Sequence, residues 1–364
     1  MLPEEKNGNY CFNANRYIDP FNSGDIALKF AALRAASTRK PVLSDPEIIA
    51  MWLHSTTTHS GTKRAKRKEG ERLVFFAEYI LEKCLSEMDT NDIRQYIEFL
   101  SDPQPADRWV SFTKWRRLDT RWRPFSGPLS SASIRYAVLN IGNLFKWMED
   151  LGLVKGHPVH GIRKTGDPPS HPGARLLPER AISLAYLAIS AEKKLRKRVR
   201  DKFMFSLLYE TAITTQEASS ADMNSINEDR RIIEIRSDSK KSRTVPITKK
   251  LLTEFHHYRS TFGMSEQAAA GDNIALLLTS DHTNRRLSSS AIYYCITRIM
   301  RAAAILARAE GAEALAMSLT KASTHWLRHT RIRDLAEKGE DFLSVNRIAG
   351  HSSLGTTKKY FDIE

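Results

Sequence analysis

Two stretches near the end of the chain, 324-THWLRHTRIRDLAEKG-339 and 350-GHSSLGTTKKYFDIE-364, decide how the rest is read. On a helix, His325, Arg328 and His329 fall three and four residues apart, so imidazole and guanidinium groups reach one small target from one face. A planar, permanently charged guanidinium suits a phosphate, which it grips with two parallel hydrogen bonds. Taken singly, the same residues describe a solvated basic face. Just upstream of the second stretch Asp341 is placed to cap a helix that Gly350 ends, and His351 then begins a tight polar turn. Tyr360 follows nine residues after His351, on a short helix. Alone, it reads as a half-buried packing aromatic.

Two earlier stretches join these. In 230-RRIIEIRSDSKKSRTVPIT-248, two short β-branched runs flank a polar loop and read as a hairpin. Its Lys240, Lys241 and Arg243 could set an ammonium group in a groove, although exposed lysines at a hairpin tip usually only solvate it. The other, 206-SLLYETAITTQEASSADMNSI-226, is an amphipathic helix entering a polar turn.

The chain has 364 residues, enough for two domains or three, each with its own core. Lys and Arg number 56 against 42 Asp and Glu, a formal charge of +14 that favours a polyanionic partner, nucleic acid first. No stretch approaches the ~20 apolar residues of a bilayer span, and the first residues lack a signal-peptide pattern, so a cytosolic protein with no membrane partner is expected. Cys11, Cys84 and Cys295 are far apart without CxxC spacing, which argues against a disulfide framework or a zinc knuckle.

Along the chain, a helix is possible at residues 24–37, and a helical region begins at 44-SDPEIIAMWLHS-55 with Ser44 as cap. A further helix over 90–101 buries Ile93, Tyr96, Ile97 and Leu100, with Thr90 or Asn91 as its cap. A Trp-rich insertion follows, and then Ile134, Val138, Ile141, Phe145 and Met148 repeat at helical steps until Gly152. The stretch 163-RKTGDPPSHPGARLLP-178 is the strongest boundary signal, because its Pro and Gly content forbids a continuous helix or central strand.

The four stretches, in this order, resemble the tyrosine recombinase or phage integrase family, most closely in HWLRHT followed by GHSSLGTTKKYF. That family has His-x-x-Arg-His-Thr, then Gly-His, then Tyr nine residues beyond. Residues 88–100 and 129–162 look like helices of its core-binding domain. The resemblance implies a mainly α fold forming a two-domain C-shaped clamp on DNA: an extension at 1–43 without assigned function, a helical SAM-like core-binding domain at 44–165, a linker at 166–178, and a mixed α+β catalytic domain with a small sheet or hairpin at 179–364.

It also implies the chemistry. Tyr360 would attack a DNA phosphodiester in line, giving a 3′-phosphotyrosine and a free 5′-hydroxyl, with no nucleotide cofactor and no metal because the bond energy is kept in the protein linkage. Arg328 would neutralise the non-bridging oxygens, His325 would act as base and phosphate ligand, and His351 would bind the same phosphate. Lys240 or Lys241 would be the general acid, although counting back from RTVPI puts Asp238 where the lysine often stands. Glu217 and His329 would support the site. The implied partners are double-stranded DNA and further recombinase subunits, as a tetramer or with a second recombinase, in the cytoplasm at the nucleoid.

Two departures qualify this. Where the family has Thr-Gly-Leu-Arg-x-x-Glu, this chain reads TAITTQE, with Ala212 at the glycine and Thr214 at the first arginine. Losing a charged oxyanion donor costs about 100- to 1,000-fold in rate. Either a nearby Arg or Lys substitutes, or the position has drifted, or the protein binds DNA and cuts poorly. Only four residues follow Tyr360, so a helix exchange between subunits would have to use another segment. For DNA binding, Lys63, Arg64, Lys66, Arg67 and Lys68 suit phosphates, while Arg116, Arg117 and their tryptophan neighbours either line a DNA-facing loop or cover the small domain.

Overall fold

The computed structural model describes residues 43–56, 60–162, 175–237, 240–265, 267 and 273–362, with residues 60, 237, 240 and 241 described by backbone alone. The extension with its possible helix, and most of the expected linker, lie outside the described residues. The fold is mainly helical with one small antiparallel sheet. It divides into two compact units, Met1–Pro169 and Ser170–Glu364, each with its own apolar core.

The first unit holds α1 (Asp45–Thr56), α2 (Ser60–Phe76), α3 (Thr90–Ser101), the single turn α4 (Ala106–Trp109) and α5 (Ser131–Asp150). The α5 stripe expected from sequence faces the core through Ile134, Ile141, Phe145 and Met148, with Val138 at its margin. The cap of α3 is neither Thr90 nor Asn91 but Asp89, whose carboxylate accepts from Asn91 N at 2.7 Å and Asp92 N at 2.9 Å. Asp92 returns the contact by accepting from Asp89 N at 2.9 Å. A carboxylate serves here better than a hydroxyl because its charge also opposes the helix dipole.

The Trp-rich insertion covers the small domain with part of its length and exposes the rest. Its two ends are core, where Trp109 and Phe125 are fully buried with ring centroids 6.5 Å apart, and Phe125 N donates to Trp109 O at 3.2 Å. Its middle stays on the surface, with Phe112 and Leu118 exposed.

The second unit runs α6 (Glu179–Ser190), α7 (Leu195–Thr211), α8 (Thr215–Ser220), β1 (Ile226–Asn227), β2 (Ile232–Ser237), β3 (Lys240–Pro246), α9 (Lys249–Thr261), α10 (Ser289–Ala309), α11 (Glu313–Lys321), α12 (Thr324–Glu337), α13 (Phe342–Ala349) and α14 (Leu354–Phe361). The sheet order is β1-β2-β3, with Ile233 opposite Val245 and Ile235 opposite Arg243. Ile233, Ile235 and Val245 are buried. Side chains alternate along a strand, so Arg243, two residues before Val245, shares its inward face.

Helix α10 reaches the length and mean hydropathy of a bilayer span, although three arginines interrupt its apolar run. The cause is a broad core face of Ile292, Ile296, Ile299, Met300, Ala303, Ala304 and Ala307, while Arg298, Arg301 and Arg308 are exposed. Beside the main core, Ile332, Leu335, Val345, Ala349, Ala212 and the ring of Tyr360 form a smaller buried cluster.

Candidate active site

The site begins where α7 stops. Ala212 takes a left-handed conformation (φ 53°, ψ 20°), which turns the chain sharply and leaves its carbonyl available to the following segments. Two residues on, Thr214 is the N-cap of α8, and Thr214 Oγ1 accepts from Glu217 N at 3.2 Å. Glu217 Oε2 accepts in turn from Thr214 N at 2.8 Å and Thr214 Oγ1 at 3.0 Å. Thr214 is thus engaged with its own helix terminus.

Two guanidiniums converge on this turn. Arg328, buried on α12, donates from Nη1 to the Ala212 carbonyl and from Nη2 to the Ala349 carbonyl. Arg243 donates from Nη1 to Glu217 Oε1 at 2.5 Å and from Nη2 to Oε2 at 3.1 Å, and its Nε donates to Ile348 O at 3.1 Å. Burial pushes the Glu217 carboxyl up, but the hydrogen bonds from Arg243 and Thr214 outweigh it and hold the group below its usual range.

The aromatic and imidazole groups form the other side. The Tyr360 hydroxyl is hydrogen-bonded to His329 Nδ1, and Tyr360 O accepts from Arg333 Nη1 at 2.7 Å. The His325 ring stands edge-on to His329 with centroids 4.6 Å apart, and the His351 ring lies nearly parallel to Tyr360 at 6.1 Å. Thr357 Oγ1 accepts from Asn346 Nδ2 at 2.7 Å and is hydrogen-bonded to His351 Nδ1 at 2.9 Å. Burial, then the charges of His325 and the nearby arginines, lowers His329 to about 4. Burial and Arg328 lower His325 as well. Both imidazoles are therefore neutral at pH 7, and in the tautomer with its proton on Nε2 His329 accepts the phenolic hydrogen. Burial raises Tyr360, and Arg328 opposes that rise.

A family model described as the phage integrase family matches residues 185–364, the span that contains all of these groups. The C-terminal unit belongs to the phage integrase family. The chain is 26% identical over 167 residues to the tyrosine recombinase XerA of Pyrococcus furiosus, covering 45% of this chain and 51% of that protein. It is 24% identical over 275 residues to the tyrosine recombinase XerC of Roseiflexus castenholzii, covering 74% and 80%. For the first of these, the match spans about half the length of the relative. In fold it is similar to the Tn1549 transposon integrase in complex with transposon right end DNA, with a TM-score of 0.63 at 13% identity over 88% of this chain and 96% of that one.

In this integrase unit, Tyr360, His325, Arg328, His329, His351 and Glu217 come together as one group. The tyrosine is also a packing residue, because its ring is 2% exposed. Lys240 and Lys241 flank the hairpin tip, where no side chain is described, and Asp238 lies outside the described residues. Sequence reading placed Arg243 among DNA-facing cations, whereas its side chain is turned inward to Glu217. The alternation with Val245 carries that signal. Reading His329 as support missed its contact with the nucleophile candidate, although its place four residues after His325 puts it on the same face.

The first unit carries a basic cleft of about 940 Å³. It is lined by Lys63, Arg64, Arg67 and Lys68 of α2 and by Lys114, Arg117 and Arg123 of the insertion, with Trp115 and Trp122 among them. Two patches separate in sequence are thus one surface. Lys66 instead lies over the Trp52 ring at 5.3 Å, Arg117 pairs with Glu71 at 2.5 Å, and Arg116 is exposed.

Proposed function

We propose that this protein is a site-specific DNA recombinase of a mobile element, which cleaves and rejoins duplex DNA through a 3′-phosphotyrosine on Tyr360 and serves integration, excision or transposition. The observation that carries the reading is the Tyr360 hydroxyl held by a neutral imidazole within a cluster that also contains a buried, doubly anchored arginine. Tyr360 Oη bonds to phosphorus while the bond from phosphorus to the 5′-oxygen breaks. His329 takes the phenolic proton and Arg328 offsets the charge growing on the non-bridging oxygens. His325 and His351 bind the phosphate, and a hairpin lysine, Lys240 or Lys241, returns a proton to the leaving oxygen. Rejoining is the same displacement reversed. The cleft of the first unit would hold duplex phosphates, its tryptophans adding apolar contact. The working state is an assembly of such subunits on DNA, in the cytoplasm at the nucleoid.

One observation favours a second reading, a protein of this fold that binds DNA without cutting it: Thr214, at the first arginine, is used as a helix cap. The two are separated with duplexes selected for binding from a random-sequence pool and nicked at successive positions. Recombination chemistry gives a denaturation-resistant protein–DNA band that Tyr360→Phe abolishes. Specific binding with no such band from the wild type rejects the recombinase reading.

A further inference from the structure

We propose that Arg243, carried on β3, is the second guanidinium of the phosphate clamp and takes over the task left vacant at Thr214. This rests on the recombinase reading above and names the group that completes its site.

Arg243 and Arg328 are anchored by the same two chain segments. In the turn at 212–217, Arg328 binds the Ala212 carbonyl and Arg243 binds the Glu217 carboxylate. At the end of α13 they take successive carbonyls, Arg243 that of Ile348 and Arg328 that of Ala349. Two side chains from a strand and a helix far apart in sequence therefore sit side by side. Arg328 feels both Glu217 and Arg243 electrostatically, as this proximity requires.

The backbone is shaped for this guanidinium. A Cβ on Gly350 would come within 2.8 Å of Arg243 Cζ and 2.9 Å of its Nε and Nη1. Glycine in a left-handed conformation (φ 64°) both ends α13 and lets Arg243 lie against the chain next to His351. Glu217 supplies the chemical reason for the arginine: its side chain is 16% exposed, and a carboxylate so enclosed needs a cation. With Thr214 unable to provide one, Arg243 does so at 9% exposure. Its bonds to Glu217 and Ile348 use three of the five N–H groups of a guanidinium, and one N–H remains on each Nη atom, on opposite edges of the plane, so that one of them can donate to a phosphate oxygen while the charge acts on the whole group.

The test uses the full chain and the selected, nicked duplexes under single-turnover conditions. Arg243→Ala should slow formation of the covalent band by about 100- to 1,000-fold. Its DNA affinity should fall by less than about 10-fold, since one phosphate contact among many is lost. Thr214→Arg placed in the Arg243→Ala background should recover most of the rate. A duplex with a neutral methylphosphonate at the scissile position needs no second positive charge, so on it the deficit of Arg243→Ala should shrink to less than about 10-fold. A merely structural arginine would show the same deficit on both substrates, and that result overturns the proposal, as does an Arg243→Ala rate within about 3-fold of the wild type. If Arg243→Ala misfolds, Arg243→Gln removes the charge but keeps a hydrogen-bond donor toward Glu217 and should show the same substrate dependence. Absence of a band from the wild type sinks the recombinase reading itself. A wild-type band unaffected by Arg243→Ala sinks only the role of Arg243.

Discussion

Replacing Gly350 by alanine should slow DNA cleavage far more than it loosens the fold. The added methyl meets two penalties of different kinds. The first is conformational: at φ 64° an L-residue is disfavoured by about 1–2 kcal/mol. The second is positional. The new Cβ would stand 2.8 Å from Arg243 Cζ, where carbon atoms prefer about 3.5–4.0 Å, so the guanidinium must retreat by roughly 1 Å. A retreat of that size breaks its contact with Glu217 Oε1, now 2.5 Å long. Misplacement by about 1 Å of a group that positions a reacting centre costs about 100-fold in rate. Gly339→Ala is the matched control, because Gly339 has φ 79° yet nothing lies within 4 Å of the built Cβ. Gly339→Ala should lose about 1–2 kcal/mol in denaturant unfolding and Gly350→Ala at least as much, and only Gly350→Ala should lose about 100-fold in single-turnover covalent-band formation. Rates for the two variants within about 3-fold of each other would refute the argument that the glycine makes room for a working arginine.

Because His329 is held near 4, below the ordinary 6.5, the stability gained by keeping it neutral is complete above pH 6.5 and is lost as pH falls through 4. Cleavage should accordingly stay level from pH 8 to about 5.5 and drop toward pH 4, and a half-maximum near 6.5 in the rate profile would contradict the neutral-imidazole site. Arg64→Ala and Lys114→Ala, from the helix and the insertion that line the basic cleft, should each reduce the slope of log affinity against log salt by about 0.9, and an unchanged slope would remove the cleft from the DNA path. Burial raises Asp45 to about 6, so its ionisation weakens the first unit as pH rises from about 4 to 6. Asp45→Asn can still accept from Leu85 N and should stabilise that unit by about 1–2 kcal/mol at pH 7 but not at pH 4, as read by denaturant unfolding.

Much of this fold was legible because its signals are local. The α5 stripe repeats at helical steps, and the spacing from His325 through His351 to Tyr360 is a property of three consecutive helices. The cap at Asp89 was misread by one or two positions because Asp, Thr and Asn stand in a row and each is a good cap; the dipole and the reciprocal Asp92 contact decide among them. The hydropathy of α10 went unremarked because its arginines interrupt the run, although its mean is high. Arg243 is the instructive case. Its partner Glu217 is 26 residues away and Ile348 is 105 away, distances that no local pattern spans. Strand parity placed it inward, but only the tertiary arrangement reveals a carboxylate waiting there.

The last carbonyls of a helix have no partner within it. At the end of α13, two of them are taken up by Arg243 and Arg328, so the hydrogen bonds that finish the helix are made by the groups proposed to hold the phosphate. Either arginine, once removed, also frays the segment that presents His351, and a double-mutant cycle between them should be strongly non-additive. The arrangement also makes chemistry conditional on completed folding. The turn at 212–217, strand β3 and helices α12 and α13 must all have arrived before either guanidinium is seated. A nascent or partly unfolded chain carries Tyr360 but not the two seated guanidiniums.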